Sequence, residues 1–171
     1  MHHRRSILAA SGLAGAGLFG PPGRAGAAAP PPRRFEVEFS EDEWRRRLPP
    51  DRFEVLRKHA TERAGLSPLD REKRRGVFHC AGCDRPLFDS EAKYDSGTGW
   101  PSFRAPIEGA VGKQADRALF WQTRTEVHCA RCGGHLGHAF DDGPPPAGKR
   151  YCMNGLALAF RPADGSRPSQ S

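Results

Sequence analysis

The chain has 171 residues, which is long enough for one domain with a hydrophobic core and too short for two large ones. Its formal charge of +7 would suit a nucleic acid or an anionic membrane surface. Three of the 27 cationic residues, Arg4, Arg5 and Arg24, lie in an acid-free N-terminal segment, however, and the remaining 24 face 20 acidic residues. A surplus of only +4, which four zinc-bound thiolates would lower by a further two, excludes charge as an argument for nucleic acid binding.

The N-terminus is predicted to be an export signal. Arg4 and Arg5 precede the apolar run SILAASGLAGAGLF at residues 6–19, and small residues follow as far as AGAAAP. The run is shorter than the ~20 residues of a membrane-spanning helix, which predicts cleavage near Ala27 or Ala28 and no stable membrane anchor. We therefore expect residues 1–27 to be removed and the protein to reach the bacterial periplasm.

The adjacent arginines are typical of a twin-arginine signal, although the residues beside them match it only in part. His3 and Ile7 stand where that signal usually has a small hydroxyl residue and Phe, so the general secretory route remains an alternative. A disordered Ala/Gly tail would account for the composition, but not for the order of charge, apolar run and small-residue cleavage site.

The elements after the signal begin with short helices. PPPRR predicts a stiff linker, which gives residues 28–34 as linker and residues 35–162 as the folded domain. Ser40 and Glu43 form a capping-box pattern that predicts a helix through Arg47. A second helix is predicted over residues 49–65, closed by Gly65.

From Gly76 onward the pattern predicts β-strands. One strand is predicted for GVFHC, one for ALFWQTRTEVHC and one for RYCMNGLALAF. The last two alternate at Leu119, Trp121, Thr123, Thr125 and Val127, and at Cys152, Asn154, Leu156, Leu158 and Phe160. Turns such as DSGTGWP and DDGPPPAG separate the runs, which favours a mainly β, antiparallel fold over βαβ units. Residues 163–171 are polar and are expected to form a flexible tail.

Four of the five cysteines form two C-x-x-C pairs, CAGC at Cys80 and Cys83 and CARC at Cys129 and Cys132. At this spacing two thiolates of one turn can bind the same tetrahedral metal, so the two pairs predict one zinc site. The site would be structural, because protein fills all four positions, and it would join the ends of two strands that are distant in sequence. Two disulfides are the alternative, but a C-x-x-C disulfide closes a very small loop and contributes little stability.

Cys152, in GKRYCMNG, has no such partner. Residues two apart on a strand share a face, so Arg150, Cys152 and Asn154 would present a cation, a thiol and a carboxamide side by side. A cation beside a thiol favours the nucleophilic thiolate. HLGHAFDDG adds groups that could donate protons or orient a donor, namely His135, His138, Asp141 and Asp142. On this basis alone Cys152 is either a buried small hydrophobe or a reactive thiol.

Three stretches carry a resemblance to a known family. CAGCDRPLFDSEAKYDSG at 80–97, GTGWPSF at 97–103 and CGGHLGHAFDDGPPPAGKRYCMNG at 132–155 are together similar to the B-type methionine sulfoxide reductases. The resemblance extends over residues 40–160 and implies a β-tent-like fold of two antiparallel sheets, clipped by zinc. It implies that Cys152 is the catalytic nucleophile and that Trp100 is the wall for the substrate methyl group. The implied polar network comprises His135, His138, Asp142, Arg150 and Asn154.

The same resemblance implies a reaction, the reduction of (R)-methionine sulfoxide in proteins or peptides. The Cys152 thiolate would attack the sulfoxide sulfur while a protonated imidazole, first of all His138, gives a proton to the oxygen, leaving a sulfenic acid. Many family members carry a second cysteine just before GWPSF, where this chain has Thr98 and no sixth cysteine elsewhere. We therefore expect an external thiol, glutathione or a thioredoxin-like protein, to reduce Cys152.

Two competing functions belong to other classes. A zinc module that binds a protein or nucleic acid, with Cys152 in its core, would account for the C-x-x-C pairs but not for HLGH together with RYCMNG. A different enzyme on a related zinc-clipped fold, working through glutathione adducts, would not need GWPSF.

Overall fold

A computed structural model describes residues 34–119, 122–166 and 169–170 of the chain. The export signal predicted for residues 1–27, and the linker predicted for residues 28–34 apart from its last residue, lie outside this range. Trp121, one of the residues of the predicted alternation, also lies outside it. Within the described part, no helix combines the length and the apolar character that a membrane crossing requires.

Short α-helices open the described chain. Helix α1 spans Glu41–Arg47 and begins with the predicted capping box, in which Glu43 N donates to Ser40 Oγ at 3.3 Å and Ser40 N donates to the Glu43 carboxylate at 2.9 Å. Helix α2 spans Pro50–Lys58 and ends at His59, which is left-handed. The prediction of a helix to Gly65 is therefore wrong, because the backbone N–H of Glu62 bonds to Asn154 at 3.0 Å instead of to a helical carbonyl.

The described strands form two antiparallel sheets, which confirms the predicted fold class. The smaller sheet has the order β10-β9-β1-β2 and the larger has the order β3-β4-β8-β7-β6-β5. The strands are β1 Gly76–Cys80, β2 Pro86–Asp89, β3 Lys93–Tyr94, β4 Ser102–Phe103, β5 Val111–Leu119, β6 Gln122–Cys129, β7 His135–Phe140, β8 Arg150–Met153, β9 Leu158–Pro162 and β10 Ser169–Gln170.

Two of the predicted strands are each divided. ALFWQTRTEVHC contains the end of β5 and the start of β6, and Leu119 pairs with Gln122 across that hairpin. RYCMNGLALAF contains β8 of the larger sheet and β9 of the smaller, joined by a 3₁₀ turn at Gly155–Ala157. Gly155 allows Ser67 to pack closely against this turn, because a Cβ atom at position 155 would lie 1.9 Å from Ser67 Oγ. In addition β10 pairs with β9, so part of the segment predicted as a tail lies in a sheet.

The core lies between the two sheets and is rich in aromatic rings. Phe103 of β4 stacks on Phe88 of β2 with ring centroids 4.3 Å apart and meets Phe78 of β1 edge-on at 5.0 Å. Phe103 pairs with Tyr151 of β8, which is also buried. Because side chains alternate along a strand, burial of Phe103 and Tyr151 directs their neighbours Ser102 and Cys152 to the opposite face of the larger sheet.

Candidate active site and cysteine cluster

A row of polar residues crosses the larger sheet in register. Ser102 of β4 pairs with Cys152 of β8, Cys152 pairs with His138 of β7, and His138 pairs with Glu126 of β6. Residues paired in this way share a face, with Cβ atoms about 4.5–5.5 Å apart. Strand pairing therefore brings the motifs GWPSF, HLGH and RYCMNG together around the thiol.

A cavity of about 200 Å³ opens beside Cys152. Three of the predicted site residues, Trp100, His138 and Asn154, line it together with Thr61 and Phe140. The Trp100 ring is held in place because its Nε1 donates to the backbone carbonyl of Glu62 at 3.1 Å. The cavity thus combines aromatic walls with a few polar groups, as small-molecule sites usually do.

The protonation state of Cys152 differs from the prediction. Burial raises the pKa of the Cys152 thiol, and the hydrogen bond from Thr98 and the charge of Arg150 lower it by less. The Thr98 hydroxyl lies 3.9 Å from the sulfur. Arg150 lowers the pKa of Cys152, as expected, but burial raises it by more. The resting group is therefore a thiol at neutral pH.

Arg150 and Asp142 form a two-point ion pair. The guanidinium donates to both carboxylate oxygens at 2.8 and 2.7 Å, and the Arg150 side chain is only 11% exposed. The pair lines a second cavity, of about 390 Å³, with Tyr94 and Thr98. Since Thr98 also contacts the Cys152 sulfur, it stands between this second cavity and the thiol.

A chain of hydroxyl groups links Thr98 to Ser102, and both of these residues bond to the Cys152 sulfur. Ser96 Oγ lies 2.8 Å from Thr98 Oγ1 and 2.7 Å from Ser102 Oγ. Sequence reasoning missed both serines, although Ser102 stands in GWPSF and faces Cys152. The position at which family members often carry a second cysteine is thus part of a hydrogen-bonded hydroxyl chain.

His138 is held by a carboxylate on a neighbouring strand. Its Nε2 lies 2.9 Å from Asp116 Oδ2, which also accepts from Arg124 at 3.1 Å. Because an ionised carboxylate only accepts, Nε2 carries the proton. Burial lowers the pKa of His138 more than Asp116 raises it. The resting imidazole is therefore mainly neutral at neutral pH, in contrast to the protonated donor that was predicted.

His135 lies behind the cavity and does not line it. It is 2% exposed, and its Nδ1 lies 2.7 Å from Glu126 Oε1, the oxygen that His59 approaches to 3.1 Å. Although burial acts to raise it, hydrogen bonds from His135 and Gln114 lower the pKa of Glu126 to about 2. The rings of His135 and His138 meet edge-on with centroids 5.4 Å apart, but only His138 lines the cavity. Each histidine has its own carboxylate partner, Glu126 or Asp116, and no motif marked either one.

Asn154 joins the cavity to its surroundings. Its Nδ2 donates to the Leu136 carbonyl at 3.2 Å, and its Oδ1 accepts from the Glu62 N–H at 3.0 Å. A carboxamide nitrogen has two hydrogens, so one remains beyond the bond to Leu136. The side chain is thereby fixed at the cavity wall, with one N–H beyond its bond to Leu136.

The four paired cysteines form a cluster whose sulfur atoms all lie within 4.8 Å of one another. The sulfur atoms of Cys80 and Cys132 are 3.8 Å apart, and those of Cys83 and Cys129 are 3.5 Å apart. A tetrahedral zinc ion with bonds of ~2.3 Å places its sulfurs about 3.8 Å apart, so the cluster suits zinc. None of the five cysteines forms a disulfide. Because Cys80 ends β1 and Cys129 ends β6, the cluster joins the two sheets.

Comparison with known proteins agrees with this geometry. A family model described as the SelR domain matches residues 48–162. Peptide methionine sulfoxide reductase MsrB of Pseudomonas putida (strain W619) is 48% identical over 131 residues, which cover 77% of this chain and 98% of the relative. MsrB of Agrobacterium fabrum is 47% identical over 128 residues, covering 74% and 94%. The chloroplastic peptide methionine sulfoxide reductase B1 of Arabidopsis thaliana is 48% identical over 131 residues, covering 77% and 65%.

These matches define the chain as an oxidoreductase with a SelR domain. Within that class, it belongs to the B-type methionine sulfoxide reductases.

If the cysteine cluster holds a structural metal, zinc and stability should be lost together. We expect purified protein to contain a single zinc ion per chain, and Cys83→Ser to lower both the zinc content and the melting temperature, because removing one thiolate opens a closed site. Elemental analysis and calorimetry provide the two measurements. Cys152→Ser is the matched control and should retain zinc. Metal-free wild-type protein with an unchanged melting temperature would contradict the prediction.

The raised pKa of Cys152 predicts the pH dependence of its alkylation. Iodoacetamide reacts with the thiolate, so the rate at Cys152 should increase with pH and reach half its maximum at a pH above the ordinary pKa of a cysteine thiol. Arg150→Gln should move this midpoint to still higher pH, because a cation that favours the thiolate is removed. Cys152→Ser gives the background from the cluster. A midpoint below the ordinary value would show that burial is not the larger effect.

Proposed function

We propose that this enzyme reduces the R epimer of methionine sulfoxide in oxidised proteins, with Cys152 as the nucleophile. The observation that carries the proposal is the position of Cys152 beside His138 in the sheet, at a cavity walled by Trp100. A flat aromatic surface can hold an S-methyl group without a hydrogen bond. His138 and the remaining N–H of Asn154 can meet the sulfoxide oxygen. The cavity therefore has an apolar surface for the methyl group, a thiol for the sulfur and hydrogen-bonding groups for the oxygen.

The protonation states suggest how the reaction begins. With Nε2–H donated to Asp116, the other ring nitrogen of neutral His138 has a lone pair that can take the proton from the Cys152 thiol. The thiolate then forms a bond to the sulfoxide sulfur, and the imidazolium returns the proton to the sulfoxide oxygen. When the oxygen is transferred to Cys152, methionine leaves and a sulfenic acid remains, so no further reagent is consumed in this half-reaction.

Arg150 and the cysteine cluster have supporting roles in this proposal. The guanidinium, fixed by Asp142, would stabilise the negative charge that forms on Cys152 during attack. A zinc ion held by Cys80, Cys83, Cys129 and Cys132 would supply a structural link between the sheets. It would take no part in the chemistry, because four protein ligands leave no position for substrate.

Reduction of the sulfenic acid requires a thiol from outside the chain. The four other cysteines are held in the cluster, and Thr98 contacts Cys152 where a second cysteine is usual. We propose that the external thiol, from glutathione or a thioredoxin-like protein, approaches through the cavity that Thr98 and Arg150 line. Its thiolate would displace hydroxide from the Cys152 sulfur, and a second thiol would resolve the mixed disulfide.

The enzymatic proposal is tested by turnover. Mature protein incubated with a dithiol and each epimer of methionine sulfoxide should release methionine from the R epimer. Cys152→Ser should lower the rate by at least about 100-fold, with an unchanged melting temperature, because a hydroxyl is a far weaker nucleophile than a thiolate. Preference for the S epimer, or substantial turnover by the serine variant, would refute the assignment.

The thiol route is tested by mass spectrometry of zinc-loaded enzyme treated with substrate and no reductant. Cys152 should gain one oxygen or a trapping adduct, while the cluster cysteines stay unmodified. Thr98→Cys should instead form an internal disulfide with Cys152 and increase turnover with thioredoxin, whereas Thr98→Ser should do neither. A disulfide between wild-type Cys152 and a cluster cysteine would mean that a zinc ligand serves as the resolving thiol.

We also propose that the enzyme acts in the periplasm, an inference that rests on the N-terminal sequence alone. A reporter fused to residues 1–34 should cross the inner membrane, and Arg4→Lys with Arg5→Lys should block its export if the twin-arginine route is used. Export that persists in the lysine variant would indicate the general secretory route, and a reporter retained in the cytoplasm would refute the proposal.

A further inference from the structure

The segment after α2 forms one side of the Cys152 cavity, through Thr61. Every residue from 61 to 66 is exposed except Glu62, and Leu66 is exposed to 69%. A segment that buries so little apolar surface gains little from packing, so its position depends on hydrogen bonds.

Glu62 supplies most of those hydrogen bonds, and its partners belong to the site. Its carbonyl accepts from Trp100 Nε1 at 3.1 Å, and its N–H donates to Asn154 Oδ1 at 3.0 Å. Its carboxylate accepts from the backbone N–H of Gly155, and from that of Leu156 at 3.0 Å. One residue therefore contacts the aromatic wall, the carboxamide and the turn that follows Cys152.

The carboxylate completes a turn that has no cap of its own. Asn154 stands at the start of the 3₁₀ turn Gly155–Ala157, but its side chain does not cap that turn. Glu62 does so from a distant part of the sequence. Burial raises the pKa of Glu62, and the two backbone donors act against that rise. Since the first N–H groups of a helical turn lack partners within it, they are suited to an anionic acceptor.

We propose that Glu62 is a positioning residue for the reaction at Cys152. It touches neither the thiol nor the sulfoxide, and it acts through Trp100 and Asn154, whose orientations it fixes. The inference rests on the proposed function, since it takes these two side chains to be the ones that meet the substrate methyl group and oxygen. Loss of the carboxylate should therefore weaken sulfoxide binding and leave the thiol step unchanged.

Substitutions at Glu62 can separate positioning from folding. Glu62→Ala removes both carboxylate bonds, Glu62→Asp keeps the charge but is one methylene too short, and Glu62→Gln keeps one acceptor oxygen. Glu91→Gln is the matched control, because Glu91 is 70% exposed and its carboxylate pairs with Arg75 on the surface.

The measurements are KM and kcat for methionine sulfoxide, KM for the reducing thiol, and the NMR resonance of the Trp100 indole N–H, identified by its loss in Trp100→Phe. We expect Glu62→Ala and Glu62→Asp to raise KM for the sulfoxide about tenfold, the effect of losing buried hydrogen bonds to a charged acceptor. The indole resonance should shift, KM for the thiol should stay the same, Glu62→Gln should be intermediate, and Glu91→Gln should match wild type.

The outcomes distinguish this inference from the proposed function. Wild-type protein that does not reduce methionine sulfoxide would refute the function, whereas the indole resonance would still report whether Glu62 positions Trp100. Active wild-type protein together with folded Glu62 variants of normal KM and unshifted resonance would overturn the inference and leave the function intact. If Glu62→Ala does not fold, Glu62→Asp and Glu62→Gln decide the question by the same criteria.

Discussion

Antiparallel pairing of β8 with β4 and β7 is the constraint on which the site depends. Tyr151 and Met153 of β8 are buried in the core, so Cys152 between them must face the other way. A shift of one residue in the pairing of β8 would bury the thiol and expose Tyr151. The hydrophobic core therefore fixes the register. The proposed nucleophile is therefore positioned by side chains that have no part in the proposed chemistry.

The same burial sets the charges of Cys152 and His138, the two groups that we propose to react. It raises the pKa of Cys152 and lowers that of His138, so the resting pair is a thiol and a neutral imidazole. In the proposed reaction, an ion pair between Cys152 and His138 in this partly dehydrated site is unfavourable until the sulfoxide oxygen takes the proton. Asp116 and Arg150 lie where an imidazolium and a thiolate would form. Cys152 and His138 are thus both neutral at rest, and charged groups already lie in position for the proton transfer that we propose.

Features with local causes could be predicted from the sequence, and features with tertiary causes could not. The capping box of Ser40 depends on residues three apart, and each C-x-x-C pair depends on one turn. By contrast, the alternation that predicts a strand continues without a break through RYCMNGLALAF, although the chain passes from one sheet to the other at Gly155–Ala157. The alternation predicts strand but does not reveal the turn within it. Asp116 and Glu62 escaped notice because their partners are distant in sequence. The directions in which the pKa values of Cys152 and His138 shift could not be predicted, because burial cannot be read from neighbouring residues in the sequence.

Two of the links between the sheets explain why structure and proposed chemistry are coupled here. One is the cysteine cluster, which joins the ends of β1 and β6. The other is the capped turn between β8 and β9, which begins three residues after Cys152. The cluster holds four thiols close together, which leaves Cys152 as the one cysteine beside the cavity. The turn ties Cys152 to the smaller sheet, so whatever holds the turn also holds the proposed nucleophile in the cavity that Trp100 and Asn154 line.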